Sequence, residues 1–184
     1  MFDLDIVPEG RRTMATAMEK NRAAVLALIQ NRAETMYVDY KRDFYDKLHA
    51  SDFPKDIAAF ANQPAQQDRY IIFGVEDKTR EVVGIDPQTY ISVDTLDAYI
   101  SETIEPFVHI ESELFPYEDR WLAYIKITAE NRNAPYVIKE TCGKGSRIEK
   151  GDIYIRKGTC NLKADRMDLD AIYLRRITEN WQKP

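Results

Sequence analysis

The chain has 184 residues, 44% of them apolar and 31% charged, with a formal net charge of -5. That balance suits a globular domain with a proper core and excludes a disordered chain. Apolar runs such as Tyr70-Ile71-Ile72-Phe73 are too short to cross a bilayer, seven glycines make a glycine-rich nucleotide cradle an unfavoured reading, and two cysteines cannot build a disulfide framework.

Met1-Phe2-Asp3-Leu4-Asp5 carries acids and lacks the basic-then-apolar order of a signal peptide, so the expected location is cytoplasmic, with no membrane partner. Residues 1–15 show no periodicity around Pro8, Gly10 and Arg11-Arg12 and are expected to form an irregular lead-in to one domain over 16–184. From Thr16 to Arg32, Met18, Val25, Leu26, Leu28 and Ile29 recur at helical spacing among charged residues. Met36 to Arg42 alternates like a strand, with Asp39 and Lys41 on one face and Tyr40 on the other. Ser51-Asp52-Phe53-Pro54 opens a short helix that runs through Ile57-Ala58-Ala59-Phe60-Ala61 and stops near Asn62.

Arg69 to Val75 is nearly continuous in apolar residues, the pattern of a strand covered on both faces. A second strand is expected over Arg80–Ile85, then a helix from Ser92 to Glu105 that Pro106 ends. Strands follow near 107–115, 120–128, 135–140 and 151–157, with Gly143-Lys144-Gly145-Ser146 in a loop and a closing helix from Met167 to Trp181. Strands and helices mix without a βαβ rhythm. The expected class is α+β, a single domain with a mixed, mostly antiparallel sheet flanked by helices.

Charge is unevenly spread. Between Lys139 and Arg166, eight basic residues face four acids, so that stretch nets +4 and the remainder -9. Such a patch can hold a phosphate backbone on an acidic protein, and it can equally be a solvated basic hairpin.

The pair Asp39 and Lys41 offers a carboxylate for a divalent cation and an ammonium for a developing phosphate charge; the same pair also reads as a surface ion pair. Asp77 follows directly on the buried strand, at the kind of strand end where open sheets place ligands, although an acid also suits a turn there. Glu34 is a third candidate. Five residues of straight strand would put it about 16 Å from Asp39 and on the opposite face, so the two can share a metal only if the chain bends between them. Cys142, Cys160, His49 and His109 have no metal-ligand spacing, which favours ordinary burial or exposure over zinc.

Glu34 with Val38-Asp39-Tyr40-Lys41, then Ala59-Phe60-Ala61-Asn62, Gly74-Val75-Glu76-Asp77, Val82-Val83-Gly84-Ile85 and Tyr154-Ile155-Arg156-Lys157-Gly158-Thr159 together resemble the Schlafen AlbA-like domain, in family order over about residues 34–168. Three departures stand out. Asp39 and Tyr40 occur where the family usually has glutamate and phenylalanine, no glycine pair follows Asn62, and the cysteine-rich zinc element of animal Schlafens is missing, so no structural zinc is carried over.

The resemblance implies a nucleic-acid-binding domain in one of two forms. In the first, Glu34, Asp39 and Asp77 hold Mg²⁺ or Mn²⁺ and Lys41 stabilises the phosphate. Lys144, Arg147, Lys150, Arg156 and Lys157 track the backbone, and the chain is an endoribonuclease cutting structured RNA such as transfer RNA. In the second, it is a DNA-binding or transcription-regulator module without catalysis. Two-lobed family members further imply that a single lobe forms a homodimer. No organic cofactor is expected in either form.

Overall fold

The structure, a computed structural model, describes residues 9–31, 35–48, 50, 52–64, 66–142 and 148–181. The chain divides between Ala33 and Glu34 into a helical unit and an α+β unit. The first holds α1 (Glu9–Asn31). This helix begins before the expected Thr16, because Arg11, Arg12, Met14 and Ala15 are good helix formers and Gly10 falls in the first turn, where its cost is least. The expected irregular lead-in is therefore helical from Glu9 onward.

The second unit contains, in chain order, β1 (Val38–Lys41), α2 (Asp52–Ala61), β2 (Arg69–Phe73), α3 (Val93–Thr103), β3 (Ile104–Glu105), β4 (Ile110–Tyr117), β5 (Arg120–Ile127), β6 (Val137–Ile138), β7 (Tyr154–Lys157), β8 (Cys160–Lys163) and α4 (Arg166–Trp181). Four strands form the main sheet in the order β1-β2-β5-β4. β1 runs parallel to β2, pairing Asp39 with Ile71 and Lys41 with Phe73, while the other two contacts are antiparallel. β2 is central and buried along its whole length, as its unbroken apolar run requires. β3 pairs with β6, and β7 with β8, as separate two-stranded ladders.

In α2 Pro54 sits in the first turn, where its missing N–H costs nothing, and eight of the ten residues are buried. Ile57 and Phe60 enter a core shared with Ile71 and Phe73 of β2, Ile125 of β5, and Leu96 and Ile100 of α3. At the helix end, Asn62 donates to the carbonyls of Tyr136 and Tyr154 at 2.9 and 2.8 Å and accepts from the Tyr136 amide at 2.7 Å. Gln63 donates to the Arg156 carbonyl at 2.8 Å. These two amides cap the side of β7 that β8 leaves open. No helix among the described residues is long and apolar enough to cross a membrane.

The expected strand over Arg80–Ile85 does not form. Arg80 lies in the left-handed region at φ 60°, and Val82 makes only an isolated bridge to Val75. Two glycines explain the change of path. The Gly74 carbonyl accepts from the amides of both Val83 and Gly84, and a Cβ on Gly74, at φ +89°, would stand 2.7 Å from Leu122 Cδ2 and 3.1 Å from the Gly84 Cα. The chain crosses itself here instead of laying down a ladder. β8 was not anticipated: three of its four residues are exposed, so it has no apolar signature. Gly158, at φ 63°, supplies the turn that folds it back on β7.

Gly74→Ala is expected to cost on the order of 3 kcal/mol, through strain at positive φ together with overpacking. Urea unfolding of the variant beside the wild type measures it, and a loss within experimental error would contradict the close crossing.

Candidate functional site

β1 is an edge strand of the main sheet, and its alternation sends Asp39 and Lys41 to one face. On that face α2 contributes Asp56 and the β7–β8 hairpin contributes Arg156 and Asn161. Arg156 Nη2 donates to Asp39 Oδ1 at 2.9 Å. The other Asp39 oxygen meets Lys41 Nζ at 3.2 Å, and the same ammonium lies 3.0 Å from Asp56 Oδ2. Asn161 Nδ2 donates to Asp56 Oδ1 at 2.6 Å, and Arg156 Nη1 donates to Asn161 Oδ1 at 3.2 Å. The result is a closed ring, Arg156–Asp39–Lys41–Asp56–Asn161, with two carboxylates, two cations and no net charge.

Packing holds the ring in place. The Arg156 side chain is 1% exposed and its guanidinium stacks 4.5 Å from the centre of the Phe60 ring. Arg156 Nη2 also donates to the Val38 carbonyl at 3.3 Å. The Tyr37 and Lys41 carbonyls accept from β2 and its continuation at Gly74, so Val38, of opposite parity, points its carbonyl out of the sheet. One arginine thereby neutralises a buried acid and covers part of an open strand edge.

Tyr45 Oη donates to Asp56 Oδ2 at 2.7 Å, and burial, with Asp56 adding to it, pushes that phenol well above its ordinary value of 10.0. For Lys41, burial is the largest influence and acts downward. Asp56 and then Asp39 outweigh it, so the ammonium ends above the ordinary 10.5.

The other residues singled out from the sequence are placed differently. Asp77 is exposed and pairs with Arg80 Nη1 at 2.9 Å, and the Arg80 guanidinium lies 4.6 Å over the Tyr40 ring. Tyr40 leaves β1 on the face opposite Asp39, so Asp77 is turned away from the Asp39 carboxylate. Glu34, Lys144 and Arg147 lie outside the described residues, as does the 143–146 loop.

Arg156 does not act as a surface cation, because it is buried in the ring. Lys157 is half-exposed, with Asp165 and Asp168 at 3.3 and 2.9 Å, and those two acids raise its pKa, the Asp168 hydrogen bond most of all. Lys163 is held by Asp152 at 2.9 Å. Lys150 is exposed. Arg156, Lys157 and Lys163 are thus engaged by acids rather than presented as a wall, and of those acids Asp39 and Asp168 lie outside the stretch and so offset part of its +4.

Among the described residues no three His, Cys, Asp or Glu side chains group as metal ligands. Of the three expected ligands, the two that are described, Asp39 and Asp77, do not fit Mg²⁺ or Mn²⁺ as arranged: both Asp39 oxygens already face cations, and Asp77 points elsewhere. Two ring members escaped the sequence reading. Asp56 had a usable signal, an acid inside the apolar face of a buried helix, where it must find a partner. Asn161 had none, since it lies on the strand that local pattern missed.

An edge strand, a buried helix and a β-hairpin clasped by one polar ring define an α+β domain of recognisable type. The model of the family described as Schlafen, AlbA_2 matches residues 34–165, and the chain belongs to that family. The match begins where the second unit begins.

The DIP2311 protein from Corynebacterium diphtheriae has a similar fold, with a TM-score of 0.50 and 18% identity, covering 89% of this chain and 29% of that one. The chain therefore spans less than a third of that protein. The N-terminal domain of a RecG-related protein from Nitrosomonas europaea aligns with a TM-score of 0.46 and 19% identity, covering 74% of this chain and 92% of that one. No curated protein matches the sequence.

Raised folded-state pKa values mean that Lys41 and Tyr45 keep their protons more tightly in the native chain than in the unfolded one. Their contribution to stability is complete below pH 10 and is lost as pH rises through 10.5 and beyond. Denaturant unfolding across that alkaline range is expected to show a steeper loss of stability in the wild type than in Tyr45→Phe. Equal slopes would contradict the coupling.

Proposed function

We propose that this domain is a nucleic-acid-binding module whose Asp39 centre is structural rather than cleaving. Membership of the Schlafen AlbA_2 family supports the nucleic-acid class. The observation that carries the non-cleaving form is the engagement of both Asp39 oxygens, one by a buried arginine and one by Lys41.

Binding falls to basic side chains. Lys144, Arg147 and Lys150 form one group by sequence, and the half-exposed Lys157 follows in the chain, its ammonium shared with Asp165 and Asp168. A second group, Arg42 and Lys47, lies just past the C-terminal end of β1 on a cavity of about 380 Å³ that Asp43, Asp46 and Asp52 also line, with Arg42 paired to Glu76 at 3.2 Å. Strand ends of this kind are habitual ligand positions. Phosphate contacts there and along residues 143–150 would set affinity without reading sequence, so the proposal takes both RNA and DNA as ligands.

The cleaving form is the second reading, and the observation favouring it is the contact between Asp39 and Lys41 on one strand face. In that form the chain is an endoribonuclease on structured RNA, with Mg²⁺ or Mn²⁺ at Glu34, Asp39 and Asp77. It requires Arg156 and Lys41 to surrender Asp39, and Asp77 to turn from Arg80.

Transfer RNA and duplex DNA titrated at several salt concentrations, with and without Mn²⁺, separate the two. Salt-sensitive binding without strand scission is expected. Lys144→Gln/Arg147→Gln/Lys150→Gln should flatten the salt slope by about 2 to 3 units, since each lost phosphate contact removes about 0.7 to 0.9. Manganese-dependent cleavage that Asp39→Ala/Asp77→Ala abolishes would establish the second reading and overturn the first.

A further inference from the structure

We infer that Arg156 and Lys41 are resident counter-cations, standing where a divalent ion would sit, and that the Asp39–Asp56 centre of this chain is metal-independent. The inference deepens the non-cleaving reading but needs no nucleic acid for its test. Asp39 and Asp56 present four carboxylate oxygens. Arg156 takes Asp39 Oδ1, Lys41 bridges Asp39 Oδ2 and Asp56 Oδ2, and Asn161 takes Asp56 Oδ1. Every oxygen is therefore turned toward a donor of the chain itself, and Tyr45 adds a second donor to Asp56 Oδ2.

Charge argues the same way. Two carboxylates against one guanidinium and one ammonium leave the ring neutral. Arg156, Asp39 and Asp56 are 3%, 9% and 3% exposed, so a divalent ion added to this set would leave an uncompensated +2 where water is scarce. A metal could enter only by expelling a resident cation. Lys41, whose side chain is 28% exposed, has a route out to solvent. Arg156 is held by the Val38 carbonyl, Asn161 and the face of Phe60, and its departure would also uncover the β1 edge.

The test is a Mn²⁺ titration of the full, chelator-treated chain. Paramagnetic broadening of the backbone amides of residues 38–42 and 56 is the readout, and Zn²⁺-free buffer with Mg²⁺ serves as a diamagnetic control. The wild type is expected to show no selective broadening at these amides at millimolar Mn²⁺, and no change of unfolding midpoint with Mg²⁺. Lys41→Met empties the bridging position at the solvent side and should gain selective broadening at Asp39 and Asp56. Arg156→Met should do so too where it folds, and Lys41→Met carries the test where it does not.

Selective broadening in the wild type, or a folded Lys41→Met that gains none, overturns the inference. Failure of nucleic-acid binding would leave this result intact, and a wild-type metal site would leave binding intact, so the two claims fail separately.

Discussion

A guanidinium that water cannot reach must be neutralised within the chain, and the way Arg156 is neutralised organises this domain. Its bond to Asp39 ties the β7–β8 hairpin to β1, its bond to the Val38 carbonyl covers an edge that would otherwise invite another strand, and its stacking on Phe60 fixes it against α2. Gln63, one turn beyond Phe60, accepts the return path by donating to the Arg156 carbonyl. Three elements distant in sequence are held through one side chain. Lys41 repeats the arrangement at the solvent side, spanning Asp39 and Asp56 and so joining β1 to α2 a second time.

This arrangement bears on chemistry as well as on stability. An acid that serves as a metal ligand needs lone pairs turned toward an open position. Asp39 and Asp56 turn theirs toward donors of their own chain, and Asp77 spends its charge on Arg80 beside Tyr40. Family membership sets the class of protein; the state of its carboxylates is a property of this chain's own contacts. The proposed role follows from that difference: the acids build the scaffold, and exposed lysines and arginines supply the contact with phosphate.

Much of the architecture was legible because it depends on local pattern. The continuous apolar run of β2 reported a strand covered on both faces, the alternation of Met36 to Arg42 reported a strand with Asp39 and Lys41 on one face, and Pro54 ahead of an alanine-rich stretch reported a closely packed helix. What failed was set by contacts between distant residues or by backbone that only glycine permits. Gly74 and Gly84 cross where a strand was expected, and β8 is defined by the Gly158 turn rather than by its own side chains.

Asp39 and Lys41 were found as a pair because they share a strand face. Their partner was misread, since Arg156 lies in a basic stretch and its carboxylate is 117 residues away. Nothing local distinguishes an arginine that meets phosphate from one that meets a buried acid. Net charge over 139–166 misleads for the same reason, because Asp39 and Asp168, outside that stretch, meet Arg156 and Lys157 only after folding.

The most direct test of the clasp is a double-mutant cycle between Asp39 and Arg156, read by denaturant unfolding of Asp39→Asn, Arg156→Met and the double variant. Removing either partner leaves a buried charge or an orphaned donor set, so each single variant should lose about 3 to 5 kcal/mol. The double variant should lose clearly less than the two losses combined, with a coupling of about 1 kcal/mol or more. Losses that simply add would show that the two side chains contribute independently, and the account of a hairpin clasped through one buried ion pair would be wrong.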